Sequence, residues 1–490
     1  MAICPPTQWR PPYRQRHVGA TAPVARRRDM NNTFKNYLSN LKSKQVAVIG
    51  AGVSNTPLID ALLKAGVETT VRDRRTHDEM GDTVTGYEER GAKIITGDGY
   101  LDKLTEEVIF RTPGLMPTNP ALLDATAHGS VLTSEMEVFF DVCPCKIIGI
   151  TGSDGKTTTT SIIAGLLESQ GKAVHTGGNI GTPLLSLADD MRPDDIAVVE
   201  LSSFQLITMQ SSPAIAVVTN IAPNHLDIHT DTEEYIEAKR NIFKHQKQTD
   251  RAVFNLDNDV TRNYAREAPA LDILMFSRRE TVKNGVYLKN GTIYEASDGV
   301  PEAVLPVGEI KLPGLHNAEN FLAAFAAVRG LVSYDVMRET ARTFKGVAHR
   351  IELVREHHGV RYYNDSIASS PSRTIAGLRA FEEKVILIAG GKDKGVAFDE
   401  LGTEIAGRVK KLVLTGSTAN QLYDAVIKAP GYDETLEIHK CDDFADAVHM
   451  ASKVASNGDV VLLSPACTSF DRFRNFEERG NTFREIVNKL

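Results

Sequence analysis

The stretch KIIGITGSDGKTTTTSIIAGLL, Lys146 to Leu167, decides the fold. It opens as an apolar, β-branched run and closes with Ile162, Ile163, Leu166 and Leu167 at helical spacing. A strand, a glycine-containing turn and a helix opened by Lys-Thr make an anion cradle from backbone N–H groups, the helix dipole and an ammonium. Gly152, Ser153, Asp154, Gly155, Lys156, Thr157 and Thr158 are therefore the expected triphosphate contacts, with the Thr157 hydroxyl available to Mg²⁺. Gly149 precedes Gly155 by six residues where the standard pattern has five, but the strand-to-helix context is the required one.

Outward from this loop, consecutive apolar residues recur at Ile196–Val199, Ile215–Val218 and Ala252–Phe254. Such runs indicate parallel strands covered on both faces, whose ligands gather at the carboxyl ends. Glu200 finishes one run, where a metal ligand explains a carboxylate better than packing does. The next run leads through Asn220 to His225 and Asp227, so His225 is a candidate magnesium-shell or substrate residue. Residues 232–245 read as a helix in which Lys239 has Tyr235, Ile236, Ile242 and Phe243 at i±3 and i±4. Burial on that apolar face favours the neutral amine, which can take up CO₂ as a carbamate and become an anionic metal ligand. A lysine snorkelling to the surface is the plain alternative.

The same alternation of strands and helices extends both ways. Upstream are Gln45–Gly50, a helix after Pro57 and a strand ending at Asp73; downstream are Val385–Ile388, Leu412–Thr415 and Val460–Leu463. The expected fold is α/β with three domains: a Rossmann-like unit over 30–134, a central P-loop-type ATPase unit over 135–346 and a Rossmann-like unit over 347–490. Residues 1–29, with six arginines and one acidic residue, Asp29, are expected to be a disordered or artefactual leader before Met30, a transit peptide being the alternative. A net charge of −7 over 490 residues argues against a broad nucleic-acid or membrane surface. Five scattered cysteines and the lack of an apolar run of about 20 residues point to a reduced cytoplasmic protein. Gly50-Ala51-Gly52 after a strand imitates a dinucleotide fingerprint, but Asn55 stands where its third glycine belongs.

Thr151–Thr158, Glu200, His225 and Lys239, in that order, resemble the Mur ligases. These enzymes activate a carboxylate with ATP as an acyl phosphate, which an amine then attacks. The resemblance implies ATP as co-substrate, two Mg²⁺ ions, metal ligation by Thr157, Glu200, His225 and a carbamylated Lys239, and catalytic roles for Lys156, His225 and Lys239. Gly178–Gly181 looks like the family's substrate-facing loop, placing Asn179 there, and His316–Asn320 like its adenine-side motif, placing Asn320. Arg350 and Asp365 match ATP contacts. The first domain is then expected to hold a uridine diphosphate through Ser54 and Asp73, with Arg74 and Gly97 as weaker candidates.

Ser464–Gly480 resembles the D-glutamate-adding branch, where Ser469, Phe470, Phe476 and Lys394 match amino-acid contacts. Ser464-Pro465 is read as leading to a helix N-terminus able to hold a carboxylate. The implied partners are D-glutamate, UDP-N-acetylmuramoyl-L-alanine and ATP, with no nucleic acid or membrane, for a monomer. One departure is Ile367, where many members carry a lysine two places after the aspartate. Folylpolyglutamate synthases share the central unit but need no uridine site.

Overall fold

The computed structural model describes residues 33–181, 183–222, 231–312, 314–392 and 397–490. Three sheets follow one another along the chain. The first comprises β1 (Val46–Ile49), β2 (Thr69–Asp73), β3 (Lys93–Thr96), β4 (Val108–Phe110) and β5 (Val131–Thr133), all parallel in the order 3-2-1-4-5.

The second has nine strands. They are β6 (Lys146–Thr151), β7 (Val174–Gly178), β8 (Ile196–Glu200), β9 (Ile215–Val218), β10 (Arg251–Asn255), β11 (Asp272–Ser277), β12 (Gly285–Lys289), β13 (Thr292–Ser297) and β14 (Val300–Pro306). Their order is 14-13-12-11-10-9-6-8-7, so β6 lies between β9 and β8. The chain leaves β6 where its neighbours run off in opposite directions, the switch point at which a parallel sheet opens a crevice. Beyond β12 the sheet turns antiparallel, an edge meander that the sequence reading did not separate.

The third sheet comprises β15 (Glu352–His357), β16 (Val360–Asn364), β17 (Val385–Ala389), β18 (Val409–Thr415), β19 (Glu437–Cys441) and β20 (Val460–Leu463), in the order 15-16-20-17-18-19. Only the β15–β16 pair in it is antiparallel. The strands β6, β8, β9 and β17 are buried along nearly their whole length, as their continuous apolar runs require.

One buried cluster runs from Val46, Val48 and Phe110 in the first unit through Phe139 and Leu184 to Val199, Val218 and Phe254, so the first two units share a core. Polar ties reinforce it. Asp189 accepts from the N–H groups of Phe34 and Lys35 at 2.9 and 3.0 Å, opening the helix Phe34–Leu41 on a carboxylate. Buried Arg111, just after β4, donates to the Phe204 carbonyl at 2.7 Å and Thr208 Oγ1 at 2.9 Å. The helices Lys156–Ser169 and Leu315–Val328 cover the other face of the central sheet.

One expectation changes in the third unit. Residues 464–475 form an irregular loop, and the helix begins only at Phe476, so no helix N-terminus follows Ser464-Pro465 directly. The loop is held instead by Lys392 and Thr468, whose backbones exchange hydrogen bonds at 2.9 and 3.2 Å. Among the described residues no helix is long and apolar enough to cross a membrane.

Candidate active site

The loop after β6 is stitched to the end of β9. Ser153 N–H donates to the Asn220 carbonyl at 2.8 Å, Asp154 N–H to Asn220 Oδ1 at 2.9 Å, and Thr219 Oγ1 to the Asp154 carbonyl at 2.6 Å. Ser153 Oγ meets Tyr235 OH at 2.9 Å, tying the loop to the helix Thr232–Lys244. Two glycines are obligatory here. A Cβ on Gly152 would collide with Thr219 Oγ1 and one on Gly155, at φ +76, with Asn320 Oδ1. Gly155 caps the helix Lys156–Ser169 without a side-chain acceptor, so the first-turn N–H groups face the loop uncapped by a side chain. Thr157 and Thr158 are buried in that turn, and Asn320 accepts from Thr159 Oγ1 at 3.3 Å.

Lys156 curls back over the loop, donating to the carbonyls of Gly152 at 3.0 Å and Ser153 at 2.9 Å. Lys239 reaches the same place from the helix Thr232–Lys244. It is 2% exposed, and its Nζ donates to the Gly152 carbonyl at 3.0 Å and Thr151 Oγ1 at 3.3 Å. The amine is therefore buried against the loop and does not snorkel. Burial above all, then the neighbouring charge of Lys156, holds Lys239 well below the usual lysine range, with Glu200 opposing. Burial likewise lowers Lys156, opposed by Glu200 and helped by Arg350 and Arg373.

Glu200 ends β8 at 1% exposure. Its Oε1 accepts from Asn179 Nδ2 at 3.0 Å, whereas buried Oε2 has no partner among the described residues. A buried, unpaired carboxylate oxygen facing two amines is costly unless a cation completes it. Such an atom fits a divalent metal. Among the described residues no three His, Cys, Asp or Glu side chains cluster to hold one, but the expected donors are a threonine, one glutamate, a modified lysine and His225. His225 lies outside the described residues.

From the third unit, Asp365 accepts from Ser464 Oγ at 2.8 Å and Ile351 N–H at 3.3 Å, and burial pushes it up to about 7. Arg350 is solvent-accessible between His349 and Ile351, both at positive φ, and its charge bears on Lys156 and Asp365. Lys156, Lys239, Glu200, Asn179, Asn320 and Arg350 thus bear on one loop, with Asp365 beside Arg350, and Asn179 of the expected substrate-facing loop meets Glu200 there. Arg373 was missed because nothing in its helix context marks it.

The remaining candidates occupy two other places. At the carboxyl edge of the first sheet, Ala51 N–H and Arg75 engage both oxygens of Asp73, with Arg75 Nη2 at 2.8 Å and Nε at 3.0 Å. Ser54 and Gly97 lie on the same edge half-buried, and Arg74 is exposed. Arg75 was not singled out from the sequence; its adjacency to Asp73 was the available signal. Asn55 takes the third-glycine position because its Nδ2 ties the turn, donating to the carbonyls of Ile49 and Gly50 at 3.1 and 3.0 Å. In the third unit Ser469 is buried, Phe470 is 62% exposed, and Phe476 packs edge-on to His349 at 6.0 Å. Lys394 lies outside the described residues, two positions after Lys392 of the Thr468 bridge.

The Mur ligase middle domain matches residues 150–328, and the Mur ligase, glutamate ligase domain matches 349–467. UDP-N-acetylmuramoylalanine--D-glutamate ligase of Acetivibrio thermocellus is 49% identical over 94% of this chain and 100% of its own length. The protein of the same name from Clostridium acetobutylicum is 48% identical over 94% and 100%. A crystal structure of UDP-N-acetylmuramate-alanine ligase MurC from Thermotoga maritima shares the fold, with TM-score 0.53 and 16% identity over 91% of this chain and 99% of that one. With near-half identity over almost the whole chain, the loop and the glutamate-ligase segment have one reading: the chain belongs to the Mur ligase family, in its UDP-N-acetylmuramoylalanine--D-glutamate ligase branch.

Proposed function

We propose that this protein joins D-glutamate to UDP-N-acetylmuramoyl-L-alanine in the cytoplasm, with ATP converted to ADP and phosphate, as a step of peptidoglycan precursor synthesis. The single observation that carries the reading is the buried Oε2 of Glu200, unpartnered among the described residues, near Lys156, Lys239 and a helix N-terminus with no side-chain cap. The names of relatives that match over their full length supply the substrate pair.

In this reading residues 30–134 hold the uridine diphosphate, 135–346 carry ATP and the ligation chemistry, and 347–490 hold the amino acid. A carboxylate is a poor electrophile, so its oxygen first attacks the γ-phosphorus of ATP while the bond to the β-phosphate oxygen breaks and ADP leaves with the electron pair. Lys156 and the loop N–H groups spread the charge of that transfer. Thr157, Glu200, His225 and a CO₂-derived carbamate on Lys239 would hold two magnesium ions. When bound, these ions neutralise phosphate and carboxylate charge. The carbamate is consistent with the amine's environment, since only a neutral amine attacks CO₂ and burial shifts Lys239 towards the neutral form. Its formation releases one proton.

Lys394, Ser469, Phe470 and Phe476 then orient D-glutamate, whose neutral amine attacks the acyl carbon and expels phosphate. Asp73, Ser54, Gly97 and Arg74 bind the uridine end, while Asn320, Arg350 and Asp365 complete the ATP site. The test is phosphate release by the purified protein, a monomer in this reading, across a panel of uridine-linked acids and amino acids. Release that requires both UDP-N-acetylmuramoyl-L-alanine and D-glutamate is expected. Equal rates with L-lysine or alanine, or release without the nucleotide acid, overturn it.

A further inference from the structure

Ile367 leaves the loop after β16 without a cation at the place where the resemblance expects one. Another cation stands beside it. Arg373 lies in the first turn of the helix Pro371–Leu378, and its Nη1 donates to the Ile367 carbonyl at 3.3 Å. A positive charge in the first turn opposes the helix dipole, so this side chain is not there to stabilise its own helix.

Nor is it paired. Among the described residues Arg373 makes no ion pair within 4 Å; it keeps solvent access, although burial of its surroundings lowers its guanidinium from the ordinary value. Its charge nevertheless bears on groups from two units: Arg350 and Asp365 on its own side, Lys156 and Glu200 on the other. Arg350 and Arg373 therefore share one region with the two amines of the central loop, with Asp365 and Glu200 as its opposing carboxyl groups. A guanidinium with no ion-pair partner among the described residues can take an incoming anion, and its planar fork suits a phosphate better than a lysine does.

We propose that Arg373 contacts the γ-phosphoryl group of ATP during transfer, supplying from the third unit the charge that Ile367 cannot. The inference rests on the ATP reading of the loop around Lys156. It adds that the cation has moved six residues along the chain, from a strand-end loop to a helix first turn, while reaching the same phosphate. Arg373 neither gains nor loses a proton in the step; it stabilises the extra charge on the equatorial oxygens as the bond to the β-phosphate oxygen breaks.

The experiment uses the full chain with magnesium. Arg373→Met is expected to lower kcat by ~100-fold or more, the scale at which a removed phosphoryl-transfer arginine acts. Binding of a non-hydrolysable ATP analogue should weaken about tenfold while ADP binding stays within about twofold, because ADP lacks the contacted group. Arg373→Lys, which keeps the stem and the charge, should fall between. The double variant Ile367→Lys, Arg373→Met should regain at least about tenfold of the lost rate if one phosphate is served from both positions.

An Arg373→Met enzyme with wild-type kcat and nucleotide discrimination overturns the proposal. So does equal weakening of ATP analogue and ADP, which marks a structural role, or a double variant no faster than Arg373→Met. Lys156→Ala separates the two layers. If it leaves ATP binding intact, the reading of the loop fails; if it abolishes binding while Arg373→Met changes nothing, only the present inference fails.

Discussion

Replacing Lys239 with methionine should make the protein more stable and inactive at once. The side chain is 2% exposed and similar in length to methionine, so the apolar chain stays packed. Neither acceptor it leaves is orphaned: the Gly152 carbonyl keeps Lys156 Nζ at 3.0 Å, and Thr151 Oγ1 keeps its donation to the Leu201 carbonyl at 2.7 Å. The amine sits 4.7 Å from the Tyr235 ring, a contact that a thioether can replace. What disappears is the cost of burying an ammonium, or of stripping its proton, beside Lys156. Apolar replacement of buried ionic groups stabilises by up to about 4 kcal/mol; about 1–3 kcal/mol here, at about 2–4 °C each for a unit of this size, raises Tm by roughly 2–12 °C.

The gain depends on pH. Lys239 is held below its ordinary 10.5 in the fold and titrates normally in the unfolded chain, so between those values the unfolded chain binds the additional proton. The Lys239 contribution to stability therefore rises with pH up to about 10.5, and the advantage of methionine is greater near neutrality than in alkali. Thermal melts in bicarbonate-depleted, magnesium-free buffer from pH 6.5 upward read this directly, with phosphate release measured alongside. A lower Tm than wild type at pH 7 refutes the electrostatic argument. Full activity without dependence on bicarbonate refutes the carbamate.

Three further outcomes follow from other residues. Burial pushes Glu135 up to about 7 from its ordinary 4.5, against one bond from Leu185 N–H, so the fold binds its proton more readily and that stability is lost as pH rises through about 7. Glu135→Gln should therefore match wild type below pH 4.5 and exceed it by about 3 kcal/mol above pH 8, read from urea midpoints. Phe470→Ala, at a 62% exposed side chain, should change stability by less than about 0.5 kcal/mol yet raise KM for D-glutamate roughly tenfold in steady-state assays. Arg111→Met removes the buried guanidinium's bonds to the Phe204 carbonyl at 2.7 Å and Thr208 Oγ1 at 2.9 Å and should cost about 1–3 kcal/mol in urea unfolding.

The parts legible in the sequence were those with a local period or a strong local chemistry. Unbroken apolar runs located β6, β8, β9 and β17, and helical spacing put Lys239 on a buried face, where it lies at 2% exposure. Contacts between distant segments carry no such mark. Arg111 reaches residues 93 and 97 positions away, and Arg75 engages Asp73 only because β2 ends in a turn that folds back. Asn55 read as a defect in a glycine fingerprint until its amide was found tying the carbonyls of Ile49 and Gly50. The loop 464–475 misled for a related reason: strand followed by Ser-Pro suits a helix start locally, but the Lys392–Thr468 bridge claims the backbone first.

Why these groups should converge is answered by charge. Lys156, Lys239, Arg350 and Arg373 act on one small region, against which Glu200, Asp154 and Asp365 set three carboxyl groups, the last raised to about 7 by burial. In the bare protein burial favours the neutral form of the Lys239 amine, and Lys156 folds onto the carbonyls of Gly152 and Ser153. Those carbonyl bonds are what a triphosphate displaces: it offers Lys156 charged acceptors in place of neutral ones, worth roughly twice as much per bond. In the proposed reading the same anion would give Arg350 and Arg373 a common partner on the side of the third unit. On that reading Arg373, which has no ion pair among the described residues, would carry the link between the third unit and the bound nucleotide.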